Sequence, residues 1–487
     1  MNNERPFIHL FYTKGGYYIF DVNTNAIIKV EKKEYNLLED LLNKNTLLNN
    51  DFIYEEYKEN AKIISLKEKG YLSSKKTKEI IHPISDILEY YLSSKIKMII
   101  LQVTQQCNLR CEYCAYSGSY INRKHKNVRM SFETAKKGID FLIDNSKDID
   151  EVNVGFYGGE PLLEFELVKK AILYAEEVAE GKKITFSFTT NGTLFTKEVI
   201  EFLMKHDVSI TISLDGPKEV HDMNRKFAVS GCGTFEKITD NLEFFKNNYP
   251  EYFKKILFNA VIDYKSSFSC LSEFFTSYDV LKDSYLITSE VSDEYSLEQR
   301  NRNEDYDVQL SYEMFKMYLA KLNRIDNKNV SKLVTSYFDN LRKKMITDRL
   351  RKESVNDKGH HGGPCVPGAQ RLFMDVDGNL FPCERVSEES DVMRIGHINN
   401  GFDYNKIRNL LNIGKITEAN CIDCWAFDYC SLCATFADEL DELSAKKKLS
   451  YCQSVRYSLE DQLKDYCMLN EFGCSFDDSN ILRVVEV

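Results

Sequence analysis

Cys107, Cys111 and Cys114 stand at spacings of four and three residues in the segment Cys107-Asn108-Leu109-Arg110-Cys111-Glu112-Tyr113-Cys114. The segment follows the apolar run Met98 to Thr104, which reads as a buried strand. The three thiols therefore lie in a loop just past a strand end, where they can converge on one metal centre. Thiolates are soft ligands that select zinc, copper(I) or iron–sulfur clusters. A structural zinc site is closed by four ligands, and no fourth Cys or His lies close by in sequence. Three thiolates on a four-iron cluster would leave one iron open to bind something else. On this motif alone a zinc knuckle and an iron–sulfur site both stand.

A second cysteine system begins at Cys365. Gly378 lies five residues before Cys383, and Cys421-x2-Cys424-x5-Cys430-x2-Cys433 follows, with Cys452 after a gap. Seven cysteines within 88 residues, four of them in a tight quartet, are not a packing accident. They point to metal, with a pair of zinc ribbons as the physical rival.

The elements that must position these thiols alternate strand and helix. A helical segment runs from Ser131 to Asn145, with Ser131 as its N-cap. The strand Val152 to Tyr157 ends in Gly158-Gly159-Glu160-Pro161. Paired glycines at a strand's carboxyl end let the backbone approach a ligand, and the Glu can accept a bond from an ammonium. Strand Ile184 to Thr189 leads into Thr190-Asn191-Gly192, and strand Val208 to Leu214 leads into Asp215-Gly216-Pro217, with His221 and Arg225 beyond. Further strands are expected at 256–262 and 284–288. Alternation of this kind implies a parallel sheet with right-handed crossovers. Each turn alone reads as an ordinary strand–turn–helix joint.

Taken in order, the Cys-x3-Cys-x2-Cys loop and the turns that follow resemble the radical S-adenosylmethionine (SAM) enzymes. The resemblance implies an α/β partial (β/α)6 barrel, with the active site at the carboxyl ends of its strands. It implies a SAM-binding 4Fe–4S cluster on Cys107, Cys111 and Cys114, its open iron chelated by the amino and carboxylate groups of SAM. Gly158, Gly159, Glu160 and Pro161 would meet the methionyl amine, Asn191 the ribose, and Ser213 and Arg225 the ribose and carboxylate. Tyr113 and Asp215 belong to the same cofactor-binding set.

The C-terminal array resembles the Cys-rich SPASM extension of these enzymes, which holds two auxiliary four-iron clusters. Carried over, Cys421, Cys424, Cys430 and Cys452 would ligate the outer cluster, and Cys365, Cys383 and Cys433 the inner one. That makes three 4Fe–4S clusters in all. Relatives have three residues between the last two cysteines of the quartet and this chain has two, which bears on where Cys433 belongs. No cysteine lies between 271 and 364 to close the inner cluster. Its fourth iron would be open to water, to His360 or His361, or to a substrate thiolate. Glu384 matches in position the acidic base of related sulfatase-maturing enzymes, and reads equally as a surface carboxylate. Cys232 and Cys270 read as inert thiols.

The 487 residues divide into a cysteine-free unit at 1–80, a bridging helix at 81–96, the barrel at 97–290, a helical linker at 291–360, the auxiliary-cluster domain at 361–455 and a tail at 456–487. Within 1–80 come strands at 8–12, 17–21 and 26–30 and a helix from about Lys33 to Asn45. This pattern is similar to the winged-helix-like peptide-recognition domains that open many peptide maturases, where a leader peptide adds as a strand to an exposed sheet edge. A structural cap is the plainer reading. Hydrophobic residues make up 43%, ample for a packed core. The net charge of −11 is interspersed and gives no basic footprint for nucleic acid. No apolar stretch reaches about 18 residues, so no membrane span is expected. The N-terminus carries no secretory pattern, which places the chain in the cytoplasm.

The expectation is an enzyme that uses the 5′-deoxyadenosyl radical to install thioether bonds, cysteine sulfur to carbon, in a ribosomally made Cys-rich precursor peptide with a leader. A flavodoxin- or ferredoxin-type donor would supply low-potential electrons. The rivals are sulfatase-type or other peptide oxidation, including carbon–carbon crosslinking, and a non-catalytic iron–sulfur scaffold that binds peptide.

Overall fold

The computed structural model of the chain describes residues 5–43, 50–179, 181–281, 284–298, 303–349, 355–474, 476 and 485–486. Six parallel strands form its centre: β4 (Met98–Thr104), β5 (Glu151–Gly158), β6 (Lys183–Thr190), β7 (Ser209–Ser213), β8 (Leu257–Ile262) and β9 (Tyr285–Glu290). They pair in sequence order, each parallel to the next. Between them run the helices α2 (Phe132–Asp144), α3 (Phe165–Glu177), α4 (Lys197–Lys205), α5 (Phe235–Asn248) and α6 (Phe268–Ser277). In α2 the residues Ala135, Gly138, Ile139, Leu142 and Ile143 are buried, the i, i+3, i+4 spacing that turns one helical stripe onto a sheet. The Ser131 hydroxyl accepts from the Thr134 N–H at its start. The result is an open half-barrel, and every turn singled out above lies at the carboxyl ends of its strands.

The free edge of β4 is covered by the C-terminal domain. Strand β10 (Leu372–Met374) pairs parallel to Ile99–Leu101, and β11 (Asn379–Phe381) turns back antiparallel to it. One continuous sheet thus joins the barrel to the segment carrying Cys383.

At the amino end, β1 (Ile8–Tyr12), β2 (Tyr17–Asp21) and β3 (Ala26–Val30) form an antiparallel meander. Helix α1 (Lys32–Leu42) buries Tyr35, Leu37, Leu38 and Leu41 beside it. The expected helix end at Lys44 and Asn45 lies outside the described residues. The far edge of β3 is not bare: Val485–Glu486 pairs parallel with Ile28 and Lys29. The bridging segment is a 3-10 turn, Pro83–Ile87, followed by a short helix, Leu88–Ser94.

Of the stretch 456–487, expected as a tail, residues 456–471 are helix. Helix α9 (Cys452–Glu471) buries Leu459, Leu463, Tyr466, Cys467 and Leu469. Its acidic residues bind other parts of the chain. Asp465 accepts from the hydroxyls of Tyr318 and Tyr337 at 2.7 and 2.6 Å, which ties down the linker helices α7 (Glu304–Lys321) and α8 (Lys332–Arg342). Glu460 meets the His9 ring at 3.0 Å, and Glu471 accepts from the Tyr18 hydroxyl at 2.6 Å. The linker is therefore packed along one side, while Tyr312 and Phe315 on α7 stay exposed. No helix among the described residues is long and apolar enough to cross a membrane.

Candidate active site and cluster-binding sites

The loop of Cys107, Cys111 and Cys114 is braced from three directions. From below, the backbone of Gly159 donates to the Thr104 carbonyl and that of Glu160 to the Gln106 carbonyl, each at 2.9 Å. A Cβ on Gly158 would sit 2.2 Å from the Thr104 oxygen, and one on Gly159 2.0 Å from the Gln106 oxygen. The paired glycines are required because the end of β5 presses against the approach to Cys107. The sequence offered a different cause, a ligand.

From one side, Leu109–Cys111 pairs antiparallel with Arg225–Phe227, so that Arg225 stands opposite Cys111. From the other, Asn108 accepts from Asn191 Nδ2 and donates to Thr193 Oγ1, both at 2.9 Å. Asn191 Oδ1 in turn accepts from the Thr193 N–H and hydroxyl. Asn108 drew no notice in the sequence; only its place beside Cys107 could have pointed to it.

Cys111 and Cys114 act electrostatically on Cys107, and Cys114 on Cys111. Burial pushes Cys107 and Cys111 up to about 12, with Glu160 adding to the rise at Cys107 and Arg225 opposing it at Cys111. Burial also raises Cys114. Buried thiols become thiolates when a bound cation compensates them, and this donor set fits a metal cluster. Among the described residues no group of three or more Cys, His, Asp or Glu is arranged to hold a single metal ion.

Glu160 is buried, and both its oxygens are engaged. Oε1 accepts from the Leu162 N–H and the Thr190 hydroxyl, and Oε2 from the Asn191 N–H, at 2.8–3.0 Å. An ionised carboxylate has about four lone-pair sites, so one remains for an incoming donor. Burial lifts its pKa to about 7 against these hydrogen bonds.

Asp215 anchors the next turn. Arg225 meets it with Nε at 2.8 Å and Nη2 at 3.2 Å, Tyr113 donates its hydroxyl, and the Val261 N–H donates at 3.1 Å. The pair is buried on both sides. His221 completes it: Nδ1 accepts from the Asp215 N–H at 3.3 Å, so Nε2 carries the hydrogen shared with Thr234 at 3.0 Å. Burial, then nearby Arg225, lowers His221 to about 4 and keeps it neutral. Ser213 ends β7, nearly buried, and Pro161 starts the turn after Glu160.

Of the C-terminal cysteines, Cys421, Cys424, Cys430 and Cys452 line one cavity of about 280 Å³ together with His361, Lys448 and Arg456. Cys365 and Cys433 both act on Cys383, which burial and then Glu384 raise to about 12. The cysteines thus fall into sets of three, three and four. His361 points Nε2 at the Leu432 carbonyl at 2.7 Å, and His360 packs on the His82 ring, centroids 4.2 Å apart. Cys232 and Cys270 are exposed, and Cys467 and Cys474 are buried.

Glu384 is no surface carboxylate: its side chain is 8% exposed. Oε1 accepts from Arg371, and Arg385 lies 3.7 Å away. Oε2 is buried without a hydrogen-bond partner. Its charge is felt by Cys383 and by Tyr157 near the carboxyl end of β5. The carboxylate therefore stands where the C-terminal domain meets the barrel mouth.

A parallel half-barrel with three thiols in the loop after its first strand, tied to glycine-, asparagine- and arginine-bearing turns, is the architecture of a radical SAM enzyme. Residues 101–262 match the model of the radical SAM superfamily. The chain carries a radical SAM domain, and it is an enzyme. It is 25% identical over 372 residues to a cysteine-type anaerobic sulfatase-maturating enzyme of Clostridium perfringens, covering 75% of this chain and 95% of that one. It is 26% identical over 431 residues to the radical SAM cyclopropyl synthase TigE of Paramaledivibacter caminithermalis, covering 83% of each. The fold is shared with native anSMEcpe with bound AdoMet at a TM-score of 0.57 and 22% identity, over 77% of this chain and 99% of that one. The domain implies a 4Fe–4S cluster and SAM.

Proposed function

We propose that the chain is a peptide maturase that joins a cysteine sulfur to a carbon of the same precursor peptide. When bound, SAM and its cluster supply a 5′-deoxyadenosyl radical able to take hydrogen from an unactivated carbon. Cys107, Cys111 and Cys114 would hold that cluster. Glu160, with one lone-pair site left, would receive the methionyl ammonium, and Arg225, backed by Asp215, would face the carboxylate, with Gly158, Gly159, Pro161, Asn191, Ser213 and Tyr113 around them.

The observation that carries the thioether reading is the incomplete inner set. Cys365, Cys383 and Cys433 supply three sulfurs, and Cys365 is exposed. The remaining ligand position of a four-iron group fits a substrate thiolate. Each crosslink removes one hydrogen atom from carbon to the deoxyadenosyl group and one proton from the thiol, and passes one electron to an acceptor. Glu384 Oε2, buried without a hydrogen-bond partner, would take the proton.

The unpartnered Glu384 oxygen also favours a second reading, oxidation of the peptide without sulfur–carbon bonding. The kinship with a sulfatase-maturating enzyme supports it. Mass spectrometry of a cysteine peptide from a neighbouring small reading frame, incubated anaerobically with SAM and reductant, separates them. Thioether formation removes two hydrogens and one alkylatable thiol per crosslink; formylglycine formation removes sulfur. A peptide that keeps its thiols and its mass overturns both. Glu384→Gln lowers turnover about 10²- to 10⁴-fold, the range of a lost general base, at unchanged iron content.

The unit at 1–80 is proposed to receive the leader as an added strand. The chain's partners would be that peptide and a low-potential electron donor, and its setting the cytoplasm. Native anSMEcpe has been solved with AdoMet and the Cp18Cys peptide, which supports a peptide as substrate.

A further inference from the structure

The four-cysteine cavity contains a feature that the other two cysteine sets lack. Lys448, on the short helix Ala445–Ser450, has no exposed surface. Its Nζ donates to Thr417 Oγ1 at 2.9 Å and lies 3.8 Å from Cys421 Sγ, while Thr417 Oγ1 is 3.2 Å from the same sulfur. No carboxylate comes within 4.0 Å of it among the described residues, although other buried cations do have such partners. At the three-cysteine loop the buried Arg225 and Arg123 are neutralised by Asp215 and Glu388, and Arg110 is exposed. Beside Cys383 the two cations at Glu384, Arg371 and Arg385, are both open to solvent. Arg456 adds a second positive group to the four-cysteine cavity, at Cys424. A buried ammonium without a counter-ion is costly. What compensates it here is negative charge inside the cavity, which four thiolates around iron provide.

We propose that Lys448 sets the reduction potential of the outer auxiliary cluster and makes it the most readily reduced of the three. The inference rests on reading the cavity as that cluster's site. Hydrogen bonds to cluster sulfurs, net charge and solvent exposure set such potentials. Reduction adds one electron and one unit of negative charge, and a fixed cation beside Cys421 stabilises the reduced form. The interaction is strong because Lys448 and Cys421 are both buried.

The test is an EPR-monitored dithionite titration of the anaerobically reconstituted full-length protein. The double variant Cys424→Ala/Cys430→Ala comes first: it should lose about four irons and one reduced-cluster signal, which assigns that signal. A double variant that keeps every iron overturns the reading of the cavity, whatever Lys448 does. In Lys448→Met the assigned signal should lose at least tenfold in its reduced-to-oxidised ratio at a fixed potential, about 59 mV for a one-electron couple. Lys448→Arg should keep the ratio within about twofold, and the other signals should not move. An unchanged midpoint in Lys448→Met, or an equal shift of every signal, overturns the proposal. So does loss of the same irons from both Lys448 variants, because Lys448 would then merely shape the cavity.

Discussion

At His221 a single hydrogen bond decides a protonation state. Nδ1 accepts from the Asp215 N–H, so a second ring proton can bind only if that bond breaks and a cation forms beside Arg225. The folded pKa is about 4, and the unfolded ring titrates near 6.5. Between these values the unfolded chain binds more protons, so the stability from this group is full above about pH 6.5 and is lost as pH falls toward 4. From pH 7 to 5.5 the loss is about 1 kcal/mol. His221→Asn keeps an acceptor for Asp215 and has nothing to titrate. Urea unfolding of the apoprotein should therefore show wild type losing about 1 kcal/mol more than His221→Asn over that interval. Equal losses would mean that the ring is charged in the folded chain. The same residue fixes Arg225 through Thr234, whose hydroxyl donates to the Arg225 carbonyl at 3.2 Å. His221 is thus a positioning residue for the turn, which the sequence had marked by Asp215, His221 and Arg225 without giving the ring a role.

At the scale of elements, the end of β5 carries the loop that holds the first three thiols. Gly159→Ala puts a methyl 2.0 Å from the Gln106 carbonyl oxygen, where the obstacle is backbone and has no rotamer to change. The loop must lift, and Cys107 with it. If each of the three cysteine sets holds a four-iron cluster, as proposed, the variant should retain about eight of about twelve irons, losing the SAM-dependent cluster and keeping both auxiliary EPR signals. Full iron content in Gly159→Ala would show that the strand end does not brace the loop. The glycines were legible from sequence; the contact they make within the chain was not, because it lies at a carbonyl more than fifty residues earlier. Strand β4 was legible as an apolar run buried along nearly its whole length. Strands β5 to β8 were legible as short runs rich in β-branched and aromatic residues ended by turn residues, β6 and β7 alternating apolar with polar side chains. Helix α9 was not. Its Glu460, Asp465 and Glu471 read as solvated charges, yet they are engaged by His9, by Tyr318 and Tyr337, and by Tyr18. Glu384 misled in the same way, its partner Arg371 standing across a strand hairpin. Lys448 is hidden in a run of three lysines that looks exposed.

Across the whole molecule, the amino-terminal sheet is bound to the cluster domain, which bears on how a peptide could reach the barrel. His9 on β1 stacks on Trp425, the one tryptophan, with centroids 3.7 Å apart and planes 4° from parallel. Trp425 follows Cys424 directly, so the sheet and the four-cysteine cavity are neighbours. The outer edge of β3 is taken by Val485–Glu486, which pair with Ile28 and Lys29. A net backbone hydrogen bond contributes about 1 kcal/mol, and a leader strand running along all five residues of β3 would have to compete with this segment for the edge. Displacement lowers apparent affinity by the fraction of chains whose edge is free. Val485→Pro removes the N–H at the first paired position, and proline is poorly tolerated in a ladder. If the leader adds to β3, its affinity for Val485→Pro should rise about fivefold, read by anisotropy of a labelled leader peptide, with iron content unchanged. If affinity is unmoved, the peptide enters elsewhere, and the outer side of β1, which has a strand neighbour on one side only among the described residues, becomes the surface to test.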